Sequence, residues 1–143
     1  MRTALRRAVL AVIVAATLAV APAAWALDDT FGFTVDTARL AADRRTVVVG
    51  GTYTCGPFDA TTGGVVDLTV RQGRTTGFGY VPILTCDGTA QPYQAEVVSN
   101  SDRRFTRGAA RVTASGYAQG VVGGEPFTQT TRVDNQRITI RRR

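Results

Sequence analysis

Short runs in which apolar and polar residues alternate fill most of the chain after Asp29, and this two-residue period is the feature that most restricts its fold. The run at residues 66–71 places three aliphatic side chains on one face and an acid, a hydroxyl and an arginine on the other. Residues 31–35 and 110–115 repeat the pattern. Because successive side chains of a strand point to opposite faces, the pattern predicts half-buried β-strands and no long helix.

The spacing of these runs predicts about seven or eight strands. They are expected at residues 30–36, 45–55, 65–71, 77–86, 93–98, 105–117, 127–133 and 137–141. One short helical turn is expected at residues 37–42, and residues 120–126 are expected to form a connection. Evenly spaced strands with tight turns favour an all-β fold, an antiparallel immunoglobulin-like (Greek-key) β-sandwich, with a closed barrel as the alternative.

Residues 1–26 have the pattern of a secretory signal peptide. Three arginines precede an apolar run at residues 8–21, and small residues occupy the two positions that a signal peptidase tests before residue 27. The apolar run is shorter than the roughly 20 residues that a membrane-spanning helix needs. We therefore expect a cleaved leader, no stable membrane insertion after cleavage, and one secreted, extracellular domain at residues 27–143.

The export route is left open by the adjacent pair Arg6-Arg7. This pair is compatible with twin-arginine export of a folded protein. The general secretory route is favoured, because a disulfide-linked protein is more easily exported unfolded and oxidised outside the cell.

Cys55 and Cys86 are the only cysteines of the sequence, and each lies at the end of a predicted strand. In an oxidising compartment such a pair is expected to form a disulfide. Closing a loop of this size stabilises a small domain by about 3 to 4 kcal/mol in the chain-entropy model. A catalytic thiol is disfavoured, because the chain has no histidine to deprotonate it.

The absence of histidine also removes the commonest general base and transition-metal ligand. No catalytic residue, metal site or cofactor is predicted. A carboxylate-based hydrolase is a weaker alternative, which would need two acids about 5 to 10 Å apart in a cleft. The acids considered for it are Asp67, Asp87, Glu96, Asp102, Glu125 and Asp134.

All basic residues are arginines, and the formal charge of the whole chain is +6. If their strands are neighbours, one positive surface is expected from Arg103, Arg104, Arg107, Arg111, Arg141, Arg142 and Arg143. Such a surface would bind an anionic cell-wall polymer, anionic lipid or an acidic secreted protein. The plainer interpretation is that exposed strand charges protect sheet edges and that terminal arginines are mobile.

Nucleic acid is not an expected partner, because the sequence has no nucleic-acid-binding motif. The tyrosines outside the leader are too scattered to predict a sugar-stacking platform, and they are expected to lie in the core or to be half-buried. These residues are Tyr53, Tyr80, Tyr93 and Tyr117.

Three segments resemble small secreted actinobacterial proteins with an immunoglobulin-like sandwich: Gly51-Thr52-Tyr53-Thr54-Cys55, Val70-Arg71-Gln72 and Cys86-Asp87-Gly88-Thr89. The family they resemble is domain of unknown function 6299, over roughly residues 31–140. The resemblance implies an extracellular location, a link between Cys55 and Cys86, and no known activity.

The function predicted from these features is that of a non-enzymatic binding or interaction module of the cell envelope or extracellular space. Its loops or basic face would contact an envelope polymer or a secreted protein. The alternative is a secreted inhibitor or small-ligand carrier, which would need an exposed rigid loop or an open apolar cleft.

Overall fold

A computed structural model describes residues 27–142 of the chain. The predicted signal peptide at residues 1–26 and the last residue, Arg143, lie outside the described residues. The strands are β1 Gly32–Phe33, β2 Thr37–Leu40, β3 Thr46–Thr54, β4 Ala60–Gln72, β5 Thr75–Pro82, β6 Gln91–Ser99, β7 Gly108–Val122 and β8 Glu125–Arg142. Residues 27–142 contain no helix, so the predicted all-β class is confirmed.

The eight strands form one sheet that closes on itself. Its order is β1-β3-β2-β8-β7-β4-β5-β6, and β6 also pairs with β3 from Thr46↔Val98 to Tyr53↔Gln91. Strands β2 to β8 therefore make a closed ring of seven strands. This is the barrel alternative, in place of the two separate sheets expected for an immunoglobulin-like sandwich. Each ring strand has a hydrogen-bonded neighbour on both sides, and the shortest pairing of the ring is that of β5 with β6, at Gly77↔Ser99 and Phe78↔Val98.

The predicted helical turn at residues 37–42 is wrong, because Thr37–Leu40 form strand β2. This strand pairs antiparallel with β3 and parallel with β8, so the sheet is also not entirely antiparallel. Ala38 is 3% exposed and belongs to the core. The burial of this residue and the pairing on both sides outweigh the weak helical preference of the local sequence.

The C-terminal quarter of the chain is a long hairpin made of β7 and β8. The expected strands at residues 127–133 and 137–141 are a single strand, which continues through an irregularity opposite residues 112–114. The expected connection at residues 120–126 is reduced to a turn at Gly123-Gly124, with φ values of 58° and 85°. Two positive φ values in succession match the twist of a tight hairpin, and glycine adopts them without strain.

The barrel interior is filled by the apolar faces that the alternation predicts. Its fully buried side chains include Val47, Val49, Val66, Leu68, Val70, Ile83, Val97, Phe105, Val112 and Ile140. Phe105 lies before β7, which begins at Gly108, and so it is not part of the strand that was predicted at residues 105–117. Its N–H donates to the carbonyl oxygen of Arg44 at 2.7 Å, and its side chain packs close to Gly77. This aromatic ring therefore fills the end of the barrel where β2, β6 and β8 finish.

The predicted disulfide between Cys55 and Cys86 is confirmed, with an Sγ–Sγ distance of 2.01 Å. Cys55 directly follows β3, and Cys86 lies between β5 and β6. Both residues are buried. The backbone N–H of Cys86 also donates to the hydroxyl of Thr61 on β4 at 3.0 Å, so the covalent link and β4 together hold the β5–β6 connection.

Candidate anion-binding surface

Three arginines lie side by side on the outer face of the barrel. In the pairing of β4 with β7, Arg71 is opposite Arg111, and in the pairing of β7 with β8, Arg111 is opposite Arg137. Neighbouring strands are about 4.8 Å apart, and all three side chains are exposed. We call these three residues the arginine row.

The central arginine of the row is held by the irregular part of β8. Arg111 Nη1 donates a hydrogen bond to the backbone oxygen of Asn135 at 3.0 Å. Asn135 has a φ of 50°, which is uncommon for a residue other than glycine and which asparagine tolerates better than most. One extra residue of β8 at this point re-aims its backbone, so that a carbonyl group faces the Arg111 guanidinium.

The arginine row lines a shallow concavity of about 310 Å³. The other lining residues are polar or small: Gln72, Gly73, Ala109, Ala110 and Asn135. Within residues 27–142 one ion pair is formed, between Arg132 Nε and a carboxylate oxygen of Asp134 at 2.7 Å. No carboxylate of this region therefore forms an ion pair with the row, and an anion placed in the concavity would meet several guanidinium donors.

The side chain of Gln72 joins the row to the neighbouring loop. Its Oε1 accepts from the N–H of Thr106 at 2.8 Å, and its Nε2 donates to the oxygen of the same residue at 2.9 Å. This two-point contact orders the segment between β6 and β7. It places Arg103, Arg104 and Arg107, all exposed, near the turn that follows β4.

The six predicted arginines that the structure describes do not all belong to the row. Of these, Arg111 alone belongs to the row. Arg107 and Arg142 line a different concavity at the barrel end, together with Arg44. Arg141 lies opposite Arg39 in the parallel pairing of β2 and β8, and both line a further concavity with Arg137 of the row and with Asp36. Arg143 is outside the described residues.

Two members of the row, Arg71 and Arg137, were not predicted as site residues. The alternation of β4 already places Arg71 on the outer face. What the sequence does not contain is the strand order β8-β7-β4 that aligns it with Arg111 and Arg137. The pairing partners of strands this distant along the chain depend on the whole barrel.

Two exposed aromatic residues lie on the same outer face, one strand away from β4. Phe78 and Tyr80 on β5 are 53% and 66% exposed. Val98 of β6 lies opposite Phe78 and is also exposed. We call Phe78, Tyr80 and Val98 the aromatic patch. Tyr53 and Tyr93 are buried and Tyr117 on β7 is half-buried at 42% exposure, as expected, whereas the expectation is wrong for Tyr80.

The six acids considered for hydrolysis are all exposed. Asp87 accepts hydrogen bonds from the N–H and hydroxyl of Thr89, which lower the pKa of its carboxyl group. Asp134 forms the ion pair with Arg132. Glu96 lines a groove of about 430 Å³ together with Asp36 and Arg39. A general acid at neutral pH needs a carboxyl group whose pKa is raised by burial, and none of these six is buried.

A cation site is not formed by clustered ligands in the described part of the chain. No three of its cysteine, aspartate and glutamate side chains are grouped so that they could hold a metal ion. No membrane-spanning helix is present among residues 27–142.

Comparison with protein families, with curated proteins and with solved structures finds no match to the chain.

Proposed function

We propose that the chain is a secreted, non-enzymatic binding module that holds an anionic polymer of the cell envelope on the outer face of β4, β7 and β8. The observation that carries this proposal is the arginine row. Like charges placed directly opposite each other across strands destabilise a sheet. A row of three exposed arginines without a carboxylate partner among residues 27–142 is therefore a cost to folding that an anionic ligand would offset.

The geometry of the row suits an extended ligand. The three guanidinium groups branch from adjacent strands on the outer face of the barrel, and guanidinium binds carboxylate and phosphate groups with two parallel hydrogen bonds. A polymer with repeated negative charges would contact several of them at once. The contact from Arg111 to Asn135 restrains one guanidinium before the ligand arrives, which reduces the entropy lost on binding.

Export and family membership are further parts of the proposal. Support for export comes from the signal-peptide pattern of residues 1–26 and from the disulfide, because disulfides persist in oxidising compartments. Support for a relationship to domain of unknown function 6299 is the Cys55–Cys86 link, which that resemblance implies.

A carrier of small apolar ligands receives less support than a surface-binding module. The interior of the barrel is occupied by the protein's own side chains, including Leu68, Ile83 and Phe105, which are almost completely buried. A carrier needs an open apolar cleft in this place. The exposed carboxylates likewise give a hydrolase little support.

The test is retention of residues 27–143 on cell walls from a high-GC Gram-positive bacterium, at low and high salt. The site variant replaces the row: Arg71→Gln, Arg111→Gln and Arg137→Gln. The control removes the same charge from exposed arginines that do not line the concavity of the row: Arg44→Gln, Arg45→Gln and Arg142→Gln. We expect the site variant to bind about tenfold more weakly at low salt and the control to bind within about twofold of the wild type. Equal losses would show that only net charge matters, and no wild-type retention at low salt would reject the proposal.

A further inference from the structure

The aromatic patch and the arginine row share one face of the barrel. In the pairing of β4 with β5, Thr69 is opposite Phe78 and Asp67 is opposite Tyr80. Arg71 is the next outward residue after Thr69 on β4, about 7 Å further along the strand. A ligand that follows this face therefore passes from the aromatic rings to the guanidinium groups without crossing a loop.

The centre of this face is made of short polar side chains. Across the pairing of β4 with β7, Thr69 is opposite Thr113, and Asp67 is opposite Ser115. All four are at least partly exposed. Their small size leaves a polar floor between Tyr80 on one side and Tyr117 on the other. The hydroxyl groups can donate hydrogen bonds to a polar ligand and accept them from it, and the Asp67 carboxylate can accept them.

This layout is unlike that of a protein-binding surface. Protein interfaces are apolar at the centre and polar at the rim, and they are depleted in serine and aspartate. Here the order is reversed, with Asp67 and Ser115 at the centre and the apolar side chains of Phe78 and Val98 at one edge. The ligand that fits is itself polar over most of its surface and has small apolar faces.

Saccharide rings have this combination of surfaces. The C–H groups on one face of a sugar ring pack against an aromatic ring, and the sugar hydroxyls exchange hydrogen bonds with groups such as those of Thr69 and Ser115. Acidic substituents on the saccharide would pair with the arginine row. We infer that the anionic partner is an acidic polysaccharide, and that the aromatic patch binds its sugar rings while the arginine row binds its acidic groups. This inference rests on the proposed function.

The experiment compares three soluble polymers by isothermal titration calorimetry: dextran sulfate, neutral dextran and polyphosphate. Polyphosphate is anionic but has no sugar ring, so it measures the arginine row alone. The patch variant is Phe78→Ala with Tyr80→Ala, and the row variant is the triple arginine substitution described above. The control is Leu84→Ala, which truncates an apolar side chain that is 75% exposed and lies outside the patch.

The expected result separates the two groups of residues. The patch variant should bind dextran sulfate about tenfold more weakly than the wild type and should bind polyphosphate within about twofold. The row variant should lose affinity for both anionic polymers, and Leu84→Ala should match the wild type. Because Phe78 and Tyr80 are exposed, the patch variant should melt within about 2 °C of the wild type.

Two results would overturn the inference, and they have different meanings. If the patch variant binds dextran sulfate as tightly as the wild type, while the row variant loses both anionic polymers, the saccharide inference fails and the proposed anion binding stands. If the wild type binds neither dextran sulfate nor polyphosphate, the proposed function fails and the inference fails with it.

Discussion

The buried side chain of Gln129 accepts a hydrogen bond through Oε1 from the backbone N–H of Gly56 at 2.7 Å. Its Nε2 donates to the backbone oxygen of Asp28 at 2.7 Å. Gln129 lies on β8, Gly56 directly follows the disulfide residue Cys55, and Asp28 belongs to the segment before β1. One amide group therefore connects three parts of the chain that are far apart in sequence.

Replacing Gln129 with methionine should lower the free energy of unfolding by about 1 to 3 kcal/mol, because both hydrogen bonds are lost and the Gly56 N–H is left without its partner. The measurement is equilibrium unfolding in urea. Gln119→Met is the matched control on the exposed face of β7, and it should change stability by less than about 0.5 kcal/mol. Equal effects of the two substitutions would contradict the prediction.

Gly116 on β7 is a position where the backbone of a neighbouring strand leaves no room for a side chain. A Cβ atom there would meet the carbonyl oxygen of Val65 and the Cα of Val66 on β4. Gly116→Ala should therefore destabilise the protein by about 2 to 3 kcal/mol, because the two strands must move apart.

The control for this substitution is Gly32→Ala. At Gly32 the nearest atoms to a new Cβ are those of Thr54 at 3.9 Å, which is ordinary contact. Its effect on the melting temperature should be small. A melting temperature for Gly116→Ala equal to that of the control would show that β4 and β7 are not this close in solution.

Tyr93 should make the protein less stable in alkaline solution. Its side chain is 8% exposed, its hydroxyl donates to the backbone oxygen of Thr34 at 2.7 Å, and its ring stacks on Phe33. Burial, with a smaller effect from the negative charge of Asp36, raises the pKa of the Tyr93 hydroxyl well above its usual value near 10.

Because the pKa of Tyr93 is higher in the folded protein than in the unfolded chain, the free energy of unfolding should fall at high pH. An unfolded tyrosine loses its proton above about pH 10, whereas the folded Tyr93 keeps its proton there. The unfolding free energy should therefore fall as the pH rises above about 10, by up to about 1.4 kcal/mol per pH unit for this group. The Tyr93→Phe variant should lose this slope in urea titrations at several pH values. The control Tyr80→Phe, at an exposed position, should keep the wild-type slope.

Arg71 should lower the stability of the free protein at low ionic strength, because it lies opposite Arg111 on the adjacent strand. Arg71→Gln should raise the free energy of unfolding by about 0.2 to 1 kcal/mol. The gain should disappear in about 1 M salt, where charges this exposed are screened.

The control for the Arg71 variant is Arg132→Gln, which breaks the exposed ion pair with Asp134. Exposed ion pairs contribute about 0 to 1 kcal/mol, so this variant should be neutral or slightly less stable at low salt. A loss of stability in Arg71→Gln at low salt would mean that an unrecognised favourable contact of Arg71 outweighs its repulsion from Arg111.

Local features of the sequence predicted much of the fold. The two-residue alternation identified which faces are buried, as Val66, Leu68 and Val70 show, because the direction of a strand side chain depends only on its position along the strand. The disulfide was predictable because Cys55 and Cys86 are the only cysteines and have one way to pair. The same alternation placed Arg71 and Arg111 on the outer face.

Three features were not predictable from the local sequence. They are the closure of the sheet, the parallel pairing of β2 with β8, and the alignment of Arg71, Arg111 and Arg137. Each of them depends on which strands become neighbours. That choice comes from packing one common core and from pairing every strand edge at once, so it is a property of the whole chain. The local sequence determines the direction of a strand side chain, but the whole fold determines which residue lies beside it on the next strand. The candidate site consists of residues that are neighbours across strands, so only the tertiary structure could define it.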